Sequence, residues 1–404
     1  MESLFREQLD GGRYLHIGLV GHGGTGKSTM IRHAMGDLRN IGILPIYINA
    51  RESFDQVDMA FADVILVLAE AVVRTLVDQA NTLTMDPRHL ELVREWFAEV
   101  VVSREHRGLL FGELETEASA SLAVPAIAKL AALVKGILRS SNEYREEIRL
   151  RAARDPDELI RGVNELLDAA HQGLAARKQR LCVVFDNLEK IQDRHQVDVA
   201  VLRRADDLRR LRCHVVYFLS PADQHTPTTS QIDQIFQLVE VPVIPIRTDR
   251  DAPVDFVDRS ALEAISSLLG KRMVLDELFA DPNACVQAIA RWSGGRLRDI
   301  IDLARQACEF AHFDPHADSV QPVHVDRAAR KLAARRLTVM TPSCWPRAAE
   351  VHASKQVDNR PEDALMLRHS LVLAYDGAPW WDVHPFVVQD ARFARAATVE
   401  SSDE

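Results

Sequence analysis

The most specific chemistry in the chain lies in eight residues, Gly21-His22-Gly23-Gly24-Thr25-Gly26-Lys27-Ser28, whose spacing is GxxxxGK[ST]. Glycines let the backbone curl until successive N–H groups point inward, an arrangement that holds phosphate oxygens. Lys27 adds a point charge for the outer phosphates, and the Ser28 hydroxyl is placed to ligate magnesium. Thr29 follows on the helix expected to begin near Lys27, whose positive end adds to the attraction. A glycine-rich turn can match this spacing by chance. Here an apolar run, YLHIGLV at 14–20, precedes it and a helical pattern, MIRHAMGDL, follows. The expected ligands are ATP or ADP with Mg2+, held across Gly21–Thr29.

A second piece of such a site is an acid at the end of a buried strand. LCVVF at 181–185 reads as that strand, and Asp186-Asn187-Leu188-Glu189-Lys190 follows. Asp186 is the candidate to hold magnesium, and a nearby carboxylate is needed to polarise the attacking water. Asn187 cannot act as a base, so Glu189 is the catalytic candidate; a surface ion pair is its alternative role. Ser220, at the end of HVVYFL (214–219), is a candidate sensor of the terminal phosphate or a plain strand terminus. In Ser293-Gly294-Gly295-Arg296-Leu297-Arg298-Asp299 a glycine turn leads into a helix offering guanidinium groups. Arg298, with Arg296 second, is the candidate to reach across to a phosphate.

Positioning these residues requires a sheet. Runs at 14–20, 43–49, 181–185, 214–219 and 238–246, with helices between them, predict a parallel, three-layered α/β domain. The strand at 43–49 comes between the cradle and the strand carrying Asp186, as in the additional-strand ATPases. Helical patterns at 59–80, 87–106, about 118–138 and 142–176 predict an inserted helical element over about 54–178. Lys129, Lys135 and Pro125 interrupt the apolar stretch 119–138, which therefore reads as a buried or partner-facing helix and not a membrane anchor. From about 258 the strand signals stop and helices are expected at 259–269, 283–293, 297–313 and 323–336. The last carries Arg327, Arg330, Lys331, Arg335 and Arg336; positions 327, 331 and 335 share a face, solvated or available to nucleic acid or an acidic partner. An irregular linker at 338–348, a helix in PEDALMLRHS and a strand–turn–strand around Asp376-Gly377 suggest a small winged-helix-like module. Its Trp380, Trp381 and His384 either pack its core or dock a partner. The expected divisions are an ATPase core at 1–250, a helical lid at 251–337, the module at 338–395 and an acidic tail at 396–404.

Composition bounds the rest. The chain has 404 residues, 47% apolar and 27% charged, enough for a buried core in two or three domains. Its longest run without Asp, Glu, Lys or Arg is Tyr14–Gly26, too short to span a bilayer. Five scattered cysteines without a CxxC spacing argue against disulfides or zinc, and no signal-like N-terminus is visible, so a cytoplasmic location is expected. A net charge of −10 means that nucleic acid would need a local basic patch.

Together these residues resemble the AAA+/STAND superfamily, especially its branch close to the origin-recognition ATPases. GHGGTGKS is similar to Walker A, VVFDNLEK to Walker B, and GGRLRDII to the sensor-2 helix, with Gly295, Arg298 and Asp299 matching. The resemblance spans about 14–336. It implies an ATP–Mg2+ switch in which nucleotide closes the lid on the core, often drives oligomerisation, and is reset by hydrolysis. Two departures stand out. The helix TSQIDQIFQ lacks the arginine finger of ring-forming relatives, leaving Arg209, Arg210, Arg212 and Arg247 as weak substitutes; and Asn187 replaces the commoner Glu. Both lean toward a slow STAND-type switch, working with itself or a separate effector protein, as in prokaryotic antiviral defence or signalling. A DNA-engaging loader is the alternative, and a scaffold with structural nucleotide a third reading.

Overall fold

The computed structural model describes residues 5, 13–79, 93–95, 133–134, 142–225, 232, 236–250, 252–253, 256–375 and 380–400. The predicted helices at 87–106 and 118–138, the TSQIDQIFQ helix apart from 232, 236 and 237, and the Asp376-Gly377 turn lie outside these residues, save 93–95 and 133–134. The chain divides into two compact units. One comprises Met1–Leu19, Ser28–Leu219 and Ser230–Val239; the other comprises Val20–Lys27, Ser220–Thr229 and Glu240–Glu404.

The first unit is built on a five-stranded parallel sheet of β1 (His16–Val20), β2 (Ile43–Asn49), β3 (Arg180–Asp186), β4 (His214–Leu219) and β5 (Gln237–Glu240). Their order is β2-β3-β4-β1-β5, so β4 lies between the strand that leads into the glycine loop and the strand that ends in Asp186. Apolar runs without polar alternation form β1, β3 and β4 because both faces of a parallel sheet are covered. The in-register parallel pairing of β2 with β3 sets Asn49 opposite Asp186. Tyr47, two residues earlier, points to the same face.

Helix α1 (Lys27–Asn40) follows the loop, and α2 (Phe61–Asp78) is buried on nearly all sides. The single helix expected at 142–176 is two, α3 (Asn142–Arg154) and α4 (Pro156–Leu174). Pro156 cannot continue a helix but suits its first position, and the Asp155 carboxylate accepts the Glu158 N–H at 3.0 Å as the cap. The strand expected at 238–246 is β5 alone, ending at Glu240. Pro242 and Pro245 have no N–H to give a ladder.

In the second unit, α5 (Arg259–Gly270), α6 (Pro282–Ser293), α7 (Leu297–His312) and α8 (Pro322–Arg336) match the expected lid helices closely. Gly294 and Gly295, both left-handed, end α6. A Cβ at Gly295 would lie 1.8 Å from the Ile244 carbonyl oxygen, so only glycine fits there. The linker expected at 338–348 is shorter, because α9 (Cys344–Ser354) already includes 344–348. Pro346 sits in its first turn, where a missing N–H costs nothing. After α10 (Pro361–Arg368) come the antiparallel β6 (Val372–Tyr375) and β7 (Trp380–Val383), the helix–hairpin order of a winged-helix-like module. The second strand ends at Val383 because Pro385 starts a short helix, Pro385–Val388, capped by His384. α11 (Ala391–Glu400) makes 396–400 helical where an acidic tail was expected. Leu373, Tyr375, Trp380 and Phe386 belong to the same core as Ile289, Ile300 and Leu303 of the lid helices, so lid and C-terminal segments share one interior.

Candidate nucleotide site

Residues 21–27 form a tight loop with Gly24 and Gly26 in the left-handed region, at φ +91° and +93°. The Lys27 ammonium donates to the Gly21 carbonyl at 2.5 Å and to the His22 carbonyl at 3.1 Å, spanning the loop's open side. The Thr25 hydroxyl donates to the His22 carbonyl at 3.0 Å, bracing the turn from within. These contacts brace the loop and tie the buried Lys27 cation to its own carbonyls.

The first turn of α7 sits on this loop. The Arg298 N–H donates to the Gly24 carbonyl at 3.0 Å, and the Arg296 guanidinium donates to the Gly23 carbonyl at 2.8 Å through Nε and also through Nη2. A Cβ at Gly24 would come within 2.7 Å of Arg298 Cβ, so the approach itself demands glycine. The two lid arginines differ in role. The Arg298 side chain is exposed, free to turn toward a phosphate, whereas Arg296 is buried.

Arg296 also donates to Asp299 Oδ1 at 2.8 Å. Asp299 is fully buried and receives Arg336 through both guanidinium nitrogens, one at 2.7 Å, and His384 Nε2 at 3.1 Å. The Phe386 N–H donates to His384 Nδ1, so the proton sits on Nε2 and the ring is neutral. Burial opposes the charge of Asp299, yet Arg296, Arg336 and His384 hold its carboxyl well below the usual carboxylate range. Arg336, one of the five basic residues expected on α8, thus turns inward to Asp299. Trp380 and His384 also belong to the interior: Trp380 stacks on Tyr375 at 4.6 Å and His384 is fully buried, which makes them core residues.

In the other unit the Ser28 hydroxyl donates to Asp186 Oδ1 at 2.9 Å. Tyr47 donates its hydroxyl to Asp186 Oδ2, and Arg32 Nη2 donates to the Tyr47 hydroxyl at 3.0 Å. A hydroxyl beside a carboxylate suits Mg2+, which keeps several waters and takes few protein ligands. Among the described residues no group of three His, Cys, Asp or Glu could hold a metal by itself. The pair therefore fits an ion that arrives with a phosphate chain. Sequence reasoning missed Tyr47 and Arg32; the signal was a lone hydroxyl inside the apolar strand ILPIYIN, in phase with Asn49.

Asn187 has φ +66°, a conformation asparagine adopts more readily than other non-glycine residues. Its amide donates to Asn49 Oδ1 at 2.8 Å and its Oδ1 accepts Lys190 Nζ. The backbone thus explains why Asn stands where an acid was expected. Glu189 is half-buried on the 3-10 turn Leu188–Lys190. Thr29 is exposed on the first turn of α1. Ser220 caps the short helix Pro221–Gln224: its Oγ accepts the Ala222 N–H at 3.3 Å and its N–H donates to Asp223 at 2.8 Å. Its hydroxyl proton is left to donate elsewhere.

His22 lies in the stretch expected to hold phosphate through its backbone, and its ring makes contacts of its own. Its side chain does not face the cradle; both ring nitrogens are bonded to residues of the C-terminal segment. The substitutes for an arginine finger also find other employment. Arg247 is buried and donates to Asp382 Oδ2 at 2.6 Å, which rules it out as a finger. Arg210 and Arg212 pair with Asp157 and Asp168, and Arg209 is exposed.

Among solved structures the chain is similar to the ORC2 protein of Aeropyrum pernix, described as ADPNP–ADP complexes. The identity is 11%, the match covers 100% of this chain and 92% of that one, and the TM-score is 0.46. It is also similar to Cdc6p of Pyrobaculum aerophilum at 12% identity, covering 99% and 92%, with a TM-score of 0.38. No curated protein matches it significantly. The model of the AAA ATPase domain matches residues 1–217, more than half of the 404, and includes the glycine loop, Ser28, Asp186 and Glu189. On that match, the chain belongs to the AAA ATPase domain family.

Proposed function

We propose that this protein is an ATP-binding and ATP-hydrolysing conformational switch, Mg2+-dependent and slow, that assembles with itself or with a partner protein. The observation that carries this reading is the seating of α7 on the glycine loop through Arg298 N–H to Gly24 and Arg296 to Gly23. Phosphates entering the loop must be accommodated by the same turn of helix that carries these arginines, so nucleotide and lid cannot change independently. The loop N–H groups and Lys27 would hold the phosphates, with Ser28 and Asp186 holding the metal, which neutralises phosphate charge. Glu189 would orient the attacking water, Arg298 would supply positive charge to the terminal phosphate, and Ser220 would donate to it. The setting suggested by the resemblance is a defence or signalling module whose effector is a separate chain.

A DNA-engaging loader is the second reading. Arg327, Arg330, Lys331 and Arg335 are exposed on α8 and form no ion pair with an acidic side chain among the described residues. Light scattering at physiological salt separates the two. The mass is measured with ADP, and with ATP in the Glu189→Gln variant, with and without duplex DNA. A rise with ATP alone supports the self-assembling switch, whereas a rise only with DNA supports the loader. A constant mass throughout removes self-assembly from the proposal.

A further inference from the structure

His22 occupies one of the variable positions of the glycine loop, yet it is fully buried under residues about 350 positions away. The Ala374 N–H on β6 donates to its Nε2 at 3.2 Å, so the proton is on Nδ1 and is donated to the Leu367 carbonyl of α10 at 3.3 Å. Trp381 on β7 meets the ring edge-on at 6.5 Å and also meets His225 edge-on at 5.3 Å. The imidazole is therefore a neutral two-ended bridge, with its donor on a helix and its acceptor on a hairpin. Neither nitrogen is left for a phosphate. No such contact is needed to curl the loop, which Gly24, Gly26, Thr25 and Lys27 already do.

We infer that His22 is a positioning residue that locks the phosphate-binding loop to the C-terminal helix–hairpin, so that the C-terminal module sets nucleotide affinity and nucleotide in turn rigidifies the hairpin. Two links run in parallel from the loop to that segment. One is the His22 ring; the other is Gly23 carbonyl–Arg296–Asp299–His384. A loop held at His22 by the C-terminal segment and at Gly23 by Arg296 cannot flatten without breaking bonds to β6, α10 or Arg296. Its phosphate-binding shape is preorganised by the packing of residues 361–375 and 380–386, and linkage requires the reverse effect to be equal in free energy.

The inference rests on the nucleotide-binding reading, and the test keeps the two apart. Fluorescent ADP with Mg2+ is titrated into the full chain and into Lys27→Ala, His22→Leu and His22→Gln variants. Absence of binding by the unaltered chain would overturn both the reading and the inference. Given binding, His22→Leu, which keeps bulk and loses both bonds, is expected to weaken affinity about five-fold, the scale of one to two net hydrogen bonds. His22→Gln supplies a donor and an acceptor on one side chain and should recover part of the loss. A structural role alone would not predict the second readout. Hydrogen exchange at the Ala374 amide should slow on adding ADP to the unaltered chain and respond less in His22→Leu. Unchanged affinity in His22→Leu, or an Ala374 amide indifferent to ADP in the unaltered chain, would overturn the inference. Should His22→Leu not fold, the Ala374 exchange measurement on the unaltered protein decides the matter by itself.

Discussion

At Lys27 the ammonium is already drawn over the loop by the Gly21 and His22 carbonyls, so it adds charge without needing to be ordered by the ligand. Lys27→Ala should leave the fold intact and abolish nucleotide binding; ADP that still raised the Tm of this variant would refute the cradle. Glu189→Gln should retain binding and lose turnover by about 10²-fold or more, the usual share of a general base. Unchanged phosphate release would mean that another group activates the water. Asn187 makes a different kind of prediction, because its role is conformational. Asn187→Gly keeps the left-handed backbone, whereas Asn187→Val forces a branched side chain into it, at a cost of about 1–2 kcal/mol. Urea unfolding of the pair should show the valine variant to be the less stable.

The first turn of α7 holds two arginines of opposite character. Arg298 is exposed and anchors only through its backbone, so Arg298→Ala should change stability by less than about 0.5 kcal/mol and act on hydrolysis. Arg296 is bonded to both the loop and Asp299, and losing Asp299 itself leaves two guanidinium groups around a buried vacancy. Asp299→Ala should therefore cost roughly 3–5 kcal/mol, as breaking a buried ion pair does. Thermal unfolding would expose a smaller effect, which would mean that the cluster is wetter than its burial implies. The GxxRD spacing made Arg298 and Asp299 legible together. It could not assign the ion pairs, because the partners Arg336 and His384 lie 37 and 85 residues downstream.

Across the molecule, buried histidines set the response to acid. Burial pushes His16 and His171 down to about 4 and His214 to about 3 in the sheet unit; it does the same to His22, to about 3, and to His384, to about 4, in the other. Each is neutral when folded and ordinary, near 6.5, when unfolded, so the unfolded chain binds more protons below that pH. Stability is therefore full above about pH 6.5 and falls as the pH drops toward 4. The lowered carboxyls of Asp299 and Asp382 lose their contribution only at still lower pH. Urea midpoints taken from pH 7.5 to 4.5 should decline steadily; a flat profile down to pH 4.5 would show that the histidines titrate freely in the native state.

The sequence by itself determined the strands, the glycine loop and the lid helices, and it marked Ser28 and Asp186 singly. Each is fixed locally, by apolar runs, glycine freedom or helical period within a window of ten to twenty residues. Pro242 and Pro346 have effects that depend on their position in an element: one ends a strand, the other is harmless in a first helical turn. Only the tertiary structure decided which charged and polar residues work inside. The His22 ring bridges to the C-terminal hairpin, a contact its place in the glycine loop does not announce; Arg247 was a possible finger and is paired with Asp382; Arg336 was one of five basic residues expected on the last lid helix and closes the Asp299 cluster. A buried charge is tolerated only beside its partner, and here those partners stand far away in the chain, where no local pattern records them.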